Sequence, residues 1–204
     1  VAHERLSGYS QISVLGYSLG GHMSLRFASE TRDNRVRRVA TLCAPLDLAR
    51  GAQCFDSARA TVYRGHVLRS LKRMYRAVRL RHPSGIPADE ADRIPAIREW
   101  DERIVAPRHG YASAADYYAK ASAGPILGQI EVPTLIAYAR QDPMVPLETL
   151  TDALRGRSQC VETWEIPRGG HIGFPEGQPL GGSPAGGRLS VDAQLVDWLL
   201  SDRS

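Results

Sequence analysis

Apolar residues along this chain gather in short runs separated by polar turns. Ile12 to Leu15 is one such run and stops at Gly16; from there apolar residues recur at helical spacing, at Leu19, Met23, Leu25, Phe27 and Ala28. The change of period predicts a strand, a sharp turn and a helix. RVATLCA, from Arg38 to Ala44, is a second run closed by Pro45, and VPTLIAYA, from Val132 to Ala139, is a third, closed by Gln141-Asp142-Pro143. Both end in turn-forming residues. CVETWEI, from Cys160 to Ile166, alternates as a sheet-edge strand does. A last helix is expected over Leu189 to Leu200, with Val191, Leu195, Val196, Trp198 and Leu199 as its apolar positions.

Short buried strands between helical segments imply an α/β fold with a mainly parallel sheet. Between Leu48 and Ile130 the pattern offers no strand, only helical pieces and loops carrying Tyr63, Tyr75, Trp100, Tyr111, Tyr117 and Tyr118. We read residues 49–130 as a helical insertion capping the carboxyl ends of the strands, where open sheets bind ligands. Gly177 to Gly187, GQPLGGSPAGG, lacks the Lys-Ser/Thr ending of a phosphate loop and reads as a flexible surface loop.

Composition sharpens this picture in a few places. The 204 residues are 43% hydrophobic and 24% charged, enough for one globular domain with a substantial core. No window approaches eighteen uninterrupted apolar residues, and VAHERLSGYSQ at the start has no basic-then-apolar signal layout. Three cysteines, Cys43, Cys54 and Cys160, form no even disulfide set and read as buried or free thiols, which suits a reducing, cytoplasmic setting. The net charge of +4 is uneven. Between Arg64 and His82 an amphipathic helix is expected, with Val67, Leu71, Met74 and Val78 on one face and Arg69, Lys72, Arg73 and Arg76 opposite. The plain reading is a solvated outer face; the functional one is peripheral contact of helix 64–82 with anionic lipid or an acidic partner. No aromatic platform or recognised motif accompanies the charge, which argues against nucleic acid.

The candidate chemistry begins at Gly16-Tyr17-Ser18-Leu19-Gly20. A Gly-x-Ser-x-Gly match alone arises by chance in about one chain in fifteen of this length. What distinguishes Ser18 is its place between a strand and a helix, where a nucleophile elbow would expose its hydroxyl; Ser10, in a second Gly-Tyr-Ser triplet, has no apolar run before it. A serine needs a base, and the base an orienting carboxylate. Asp142 follows the third apolar run and His171 the fourth, within Gly169-Gly170-His171-Ile172-Gly173-Phe174, in the order Ser, Asp, His. Competing readings make Asp142 a turn residue before proline, His171 a loop histidine, and His22 the base. His3, His66, His82 and His109 read as surface residues. No His-x-x-x-His or Cys-x-x-Cys spacing suggests a metal, and no cofactor is expected.

These residues lie in segments that resemble the YheT-like branch of the α/β-hydrolases, the AB hydrolase 4 family. The resemblance is carried by Gly16-Tyr17-Ser18-Leu19-Gly20-Gly21, Ala44-Pro45-Leu46-Asp47-Leu48, EWDERIVAPRHGYASAADYYAKAS from Glu99 to Ser122, Pro133-Thr134-Leu135-Ile136, Gln141-Asp142-Pro143-Met144 and Gly169 to Phe174. It implies a Ser18, Asp142, His171 triad acting on carboxylic esters, short-chain or acylglycerol, through an acyl-enzyme, with the Leu19 N–H as one oxyanion donor. His22 stands where relatives usually have asparagine, and Gln141 replaces a commonly acidic residue. A complete member has several strands before the elbow, so the expectation is the carboxyl-terminal part of a longer hydrolase whose second oxyanion donor is missing here. Rival functions are acyl transfer to an alcohol by the same triad, and a catalytically silent binding module.

Overall fold

The first strand is short because its sequence turns too tightly to continue. In the computed structural model, which describes residues 8–181, 183 and 188–201, β1 (Ile12–Tyr17) runs through Gly16 and breaks at Ser18, and α1 (Leu19–Glu30) starts at once. A β-carbon on Gly16 would lie 2.4 Å from Ser24 Oγ and 2.6 Å from the Gly20 carbonyl oxygen, so the strand-to-helix approach closes only over a hydrogen atom. Gly20 is different: nothing lies within 4 Å of where its β-carbon would be. The two glycines of the motif are therefore unequal in this fold.

The chain divides into two compact units, one comprising residues 1–46 and 123–204, the other 47–122. The first holds a sheet in the order β1-β2-β3-β4, with β2 (Val36–Leu42), β3 (Thr134–Ala139) and β4 (Val161–Ile166). All three pairings are parallel. Side chains alternate across the sheet, as strand geometry requires. On β3, Ile136 joins Leu25, Ala28 and Val39 in one core, while Leu135, Ala137 and Ala139 join Trp164, Leu195 and Trp198 in the other. Ala123, Leu127 and Ile130 belong to the first of these cores. The polypeptide thus returns to the sheet before Ile130, through a 3₁₀ turn, Gly124–Gln129, whose spacing resembles neither strand nor amphipathic helix. On α1 the apolar positions divide: Leu25 and Ala28 are buried, while Leu19, Met23 and Phe27, four residues apart, face outward.

The stretch from Gly177 is anchored, against the expectation of a flexible surface loop. Gln194, fully buried on the last helix (Val191–Leu200), donates to the Gln178 and Leu189 carbonyls and accepts from the Leu180 N–H at 3.0 Å. Gln178 and Leu180 are themselves buried. Residues 182 and 184–187 of that loop, and His3, lie outside the described residues.

The second unit is helical: α2 (Leu48–Asp56), α3 (Thr61–Arg81), α4 (Ala88–Arg93), α5 (Ile97–Trp100), α6 (Ala106–Arg108) and α7 (Ala114–Ala121). On α3 the inward face is set by Leu68, Leu71 and Tyr75, which pack with Ile94, Trp100 and Ile104. This is rotated from the expected face, since Met74 is 57% exposed. Tyr75 wins the inward position because its ring meets Trp100 edge-on at 5.8 Å while its hydroxyl donates to the Ile86 carbonyl at 2.8 Å. Lys72 correspondingly bends to the Asp92 carbonyl instead of standing free in solvent. Among the described residues no helix is long and apolar enough to cross a membrane.

Between α5 and α6, Asp101–Val105 adopt π-helical geometry. Burial pushes the Asp101 carboxyl up to about 6, with the nearby Asp56 charge adding to the rise, although the Tyr118 hydroxyl donates to it at 2.7 Å and partly opposes it. The folded state therefore holds its proton more tightly than the unfolded chain, whose aspartates titrate near 3.9. Stability from this group is fully present below about pH 4 and is lost as pH rises through about 6. Asp101→Asn keeps an acceptor for Tyr118 and removes the titration. Its stability relative to wild type, read from urea midpoints between pH 4 and 8, should be near zero at the acid end, grow as pH rises from about 4 to about 6, and level off above that.

The turn at Ser18 yields a second test. Gly16→Ala should destabilise by about 3 kcal/mol, since neither a backbone carbonyl nor a packed helix can withdraw from the new methyl group. Gly20→Ala should be neutral or stabilise by up to about 1 kcal/mol, because alanine is the better helix former in open space. Equal losses from both substitutions in thermal melts would refute the distinction.

Candidate active site

Ser18 sits at φ 50° and ψ −124°, in the left-handed half of backbone space that favours glycine. A serine before a helix normally caps it by accepting a backbone N–H. Here the side chain makes no cap hydrogen bond. The backbone geometry turns the hydroxyl off the helix end and leaves it to another partner, His171. Leu19, the first helical residue, has no intrahelical acceptor for its N–H, so this N–H and the helix dipole place partial positive charge beside the hydroxyl.

Asp142 stands beyond the carboxyl end of β3. Its side chain is 1% exposed. One oxygen, Oδ1, accepts the Met144 and Val145 N–H groups at 2.8 and 3.0 Å, an aspartate turn that fixes the carboxylate. Proline at position 143 favours that local turn. The turn reading and the site reading of Asp142 are thus compatible, because the two oxygens do different work. The other oxygen, Oδ2, accepts from His171 Nδ1 at 2.7 Å.

His171 comes from the loop after β4. Gly169, at φ 129°, permits the bend, and a β-carbon there would strike the Phe174 ring at 2.4 Å. Gly170 N–H donates to the Gly173 carbonyl at 2.9 Å, closing the loop around the histidine. Because a carboxylate accepts at Nδ1, the proton sits on that nitrogen and Nε2 carries a lone pair. The Ser18 hydroxyl donates to Nε2 at 2.7 Å, joining residues 153 positions apart. Three side chains from loops after β1, β3 and β4 thus form one hydrogen-bonded chain.

The rival base is placed elsewhere. His22 is 3% exposed, and its Nδ1 donates to the Pro45 carbonyl at 3.0 Å, tying α1 to the segment after β2. His66, His82 and His109 are exposed. Cys43, Cys54 and Cys160 form no disulfide among the described residues.

One neighbour of the site, Cys43, reads from the sequence only as a buried or free thiol. Cys43, Asp142 and His171 place a sulfur, a carboxylate oxygen and a ring nitrogen within 4.8 Å of one another. Burial, with the Asp142 charge beside it, pushes the Cys43 thiol far above its ordinary range, so it stays protonated. A protonated thiol next to a histidine already bonded to its carboxylate is a hydrogen-bond donor, not a metal ligand. Only the apolar run before Cys43, matching the run before Ser18, could have drawn attention to it.

Comparison with known proteins gives the family of the chain. The family described as alpha/beta hydrolase fold matches residues 2–178. YheT of Escherichia coli, which carries an esterase name, is 32% identical over 199 residues, covering 96% of this chain and 57% of YheT. Monoacylglycerol lipase ABHD2 of Danio rerio is 29% identical over 202 residues, covering 93% of this chain and 46% of that protein. The chain thus spans about half the length of these relatives. An acetyl xylan esterase from Paenibacillus shares the fold, with a TM-score of 0.52 at 17% identity over 85% of this chain and 46% of that one. The family match takes in the sheet, the turn at Ser18 and the loop of His171 alike, and by it the chain belongs to the alpha/beta hydrolase fold family.

Proposed function

We propose that this chain carries the catalytic centre of a serine hydrolase acting on carboxylic esters, with Ser18 as nucleophile, His171 as general base and Asp142 as the residue that orients and charges the histidine. The observation that carries the reading is the pair of hydrogen bonds at His171, each 2.7 Å, to Ser18 and to Asp142. The esterase and monoacylglycerol lipase names of the relatives put carboxylic esters, acylglycerols among them, first among substrates.

In this mechanism Ser18 Oγ attacks the ester carbonyl as its proton passes to His171 Nε2, and the carbonyl electrons move onto oxygen. The Leu19 N–H donates to that oxyanion; one such donor is worth about 10² to 10³ in turnover. Asp142, held by two backbone N–H groups, stabilises the imidazolium without taking its proton. Collapse of the intermediate expels the alcohol, protonated by His171, and leaves an acyl-serine. Water, deprotonated at Nε2, then releases the acid and restores Ser18.

The basic helix, for which contact with lipid is the functional alternative to a solvated outer face, enters this reading in reduced form. Of its cations, Arg64, Lys72, Arg76 and Arg79 are engaged within the second unit, by carbonyls or by Asp92. Arg69 and Arg73 are exposed on the stripe that also shows Val62, 82% exposed, and Leu80, 88% exposed. A helix without a single acidic residue that presents arginines between exposed apolar side chains suits an anionic lipid surface.

A fluorophosphonate probe should label the protein at Ser18, and Ser18→Ala should abolish labelling. Asp142→Asn should cut ester turnover about 10⁴-fold, because the histidine would then favour the wrong tautomer. A folded wild type that neither labels nor hydrolyses p-nitrophenyl or glyceryl esters would remove the enzyme reading. For the lipid surface, sedimentation with phosphatidylserine vesicles should fall on raising salt and weaken by about 1 kcal/mol for each of Arg69→Gln and Arg73→Gln. Equal sedimentation with neutral phosphatidylcholine vesicles would overturn it.

A further inference from the structure

Among the described residues two that are not glycine have left-handed φ values: Ser18 at 50° and Cys43 at 52°. They occupy equivalent places. Tyr17 pairs with Leu42 at the ends of β1 and β2, so Ser18 and Cys43 are the next residues on adjacent parallel strands. Each keeps its N–H in the ladder, Ser18 donating to Leu42 and Cys43 to Ala137, both at 2.8 Å. With its amide so fixed, the unusual φ acts on the side chain, and strain of this kind persists where the surrounding structure over-determines it.

Glycine would take φ 52° freely, so the presence of cysteine there asks what its thiol contributes. Cys43 is 1% exposed. Its sulfur lies within 4.8 Å of both the Asp142 carboxylate and a His171 ring nitrogen. Asp142 Oδ1 already accepts from Met144 and Val145, and Oδ2 from His171. A carboxylate can accept about four hydrogen bonds, which leaves room for one further donor. The thiol, kept protonated by burial and by the carboxylate's own charge, stands within 4.8 Å and can supply it.

We propose that Cys43 is a positioning residue for the site: its S–H steadies the Asp142 carboxylate in the plane that faces His171 and, as a weak neutral donor, leaves on it the charge that stabilises the imidazolium. The geometry is independent of the ester-hydrolase reading, although the rate effect rests on it. Cys43→Ala and Cys43→Gly remove the donor, and Cys43→Ser restores one. The glycine variant also relieves the backbone, so it keeps the fold even if alanine, which retains the strained β-carbon, does not.

The groups facing His171 are Asp142 and Cys43 from the loops after β3 and β2, and Ser18 from the turn after β1. Loss of the thiol donor concentrates charge on the carboxylate and should raise the His171 titration midpoint, followed by NMR of its ring, by several tenths of a pH unit in the alanine and glycine variants. Cys43→Ser should return it to the wild-type value or below. In parallel, kcat for ester hydrolysis should fall about 3- to 10-fold in Cys43→Gly with KM unchanged, and recover in Cys43→Ser. An unmoved His171 midpoint in a folded Cys43→Gly protein would overturn the proposal. Absence of fluorophosphonate labelling in the wild type would instead count against the hydrolase reading and leave the NMR test intact.

Discussion

Two backbone hydrogen bonds carry the parallel ladder one residue beyond its strands, from the Ser18 N–H to the Leu42 carbonyl and from the Cys43 N–H to the Ala137 carbonyl. They hold the backbone of each residue at the carboxyl edge of the sheet while φ swings the side chain out of the strand's alternation. A left-handed φ costs a residue with a β-carbon roughly 1 to 2 kcal/mol. Burying one leucine or isoleucine yields about 1.5 to 3 kcal/mol, and Leu42, Leu135 and Ile136 in the same sheet are wholly buried. The sheet can therefore sustain two strained residues, and it does so at the edge where Asp142 and His171 arrive.

The histidine is held by division of labour. Asp142 uses one oxygen to organise its own turn and the other to fix the imidazole tautomer, and the His171 loop is closed by its own glycines. Neither arrangement depends on the serine, so the acceptor at Nε2 is formed before the hydroxyl is considered. Ser18 in turn is denied its usual role as a helix cap, which leaves the hydroxyl to the histidine. The helical unit is organised differently: polar pairs, Asp101 with Tyr118 and Asp56 with the N–H groups of Ile97 and Arg98, hold helix ends and a π-helical segment together.

Much of the sheet was legible in the sequence because buried parallel strands read as apolar runs and the edge strand β4 as an alternating one. All four strands fall within two residues of the expected runs at either end. The order Ser18, Asp142, His171 was legible for the same reason, since each follows a recognisable run. What was illegible concerned direction. Helical spacing puts Leu19, Met23, Leu25, Phe27 and Ala28 on a helix without saying that Leu25 and Ala28 turn inward and the others outward. On α3 it favoured Met74, but the edge of Trp100 and the Ile86 carbonyl select Tyr75. Low complexity around Gly177 concealed anchoring by Gln194, more than ten residues away.

The sequence by itself determined the element order, the parallel sheet and the identity of three chemically matched side chains at strand ends, because periodicity and turn chemistry are local properties. Only the tertiary structure decided that Gly16 must lack a side chain while Gly20 need not, that His22 serves Pro45, and that Cys43 stands beside Asp142. Those outcomes depend on which atoms the strand-to-helix turn and the register of neighbouring strands bring within a few ångströms, and register joins residues 24 to 95 positions apart in the chain.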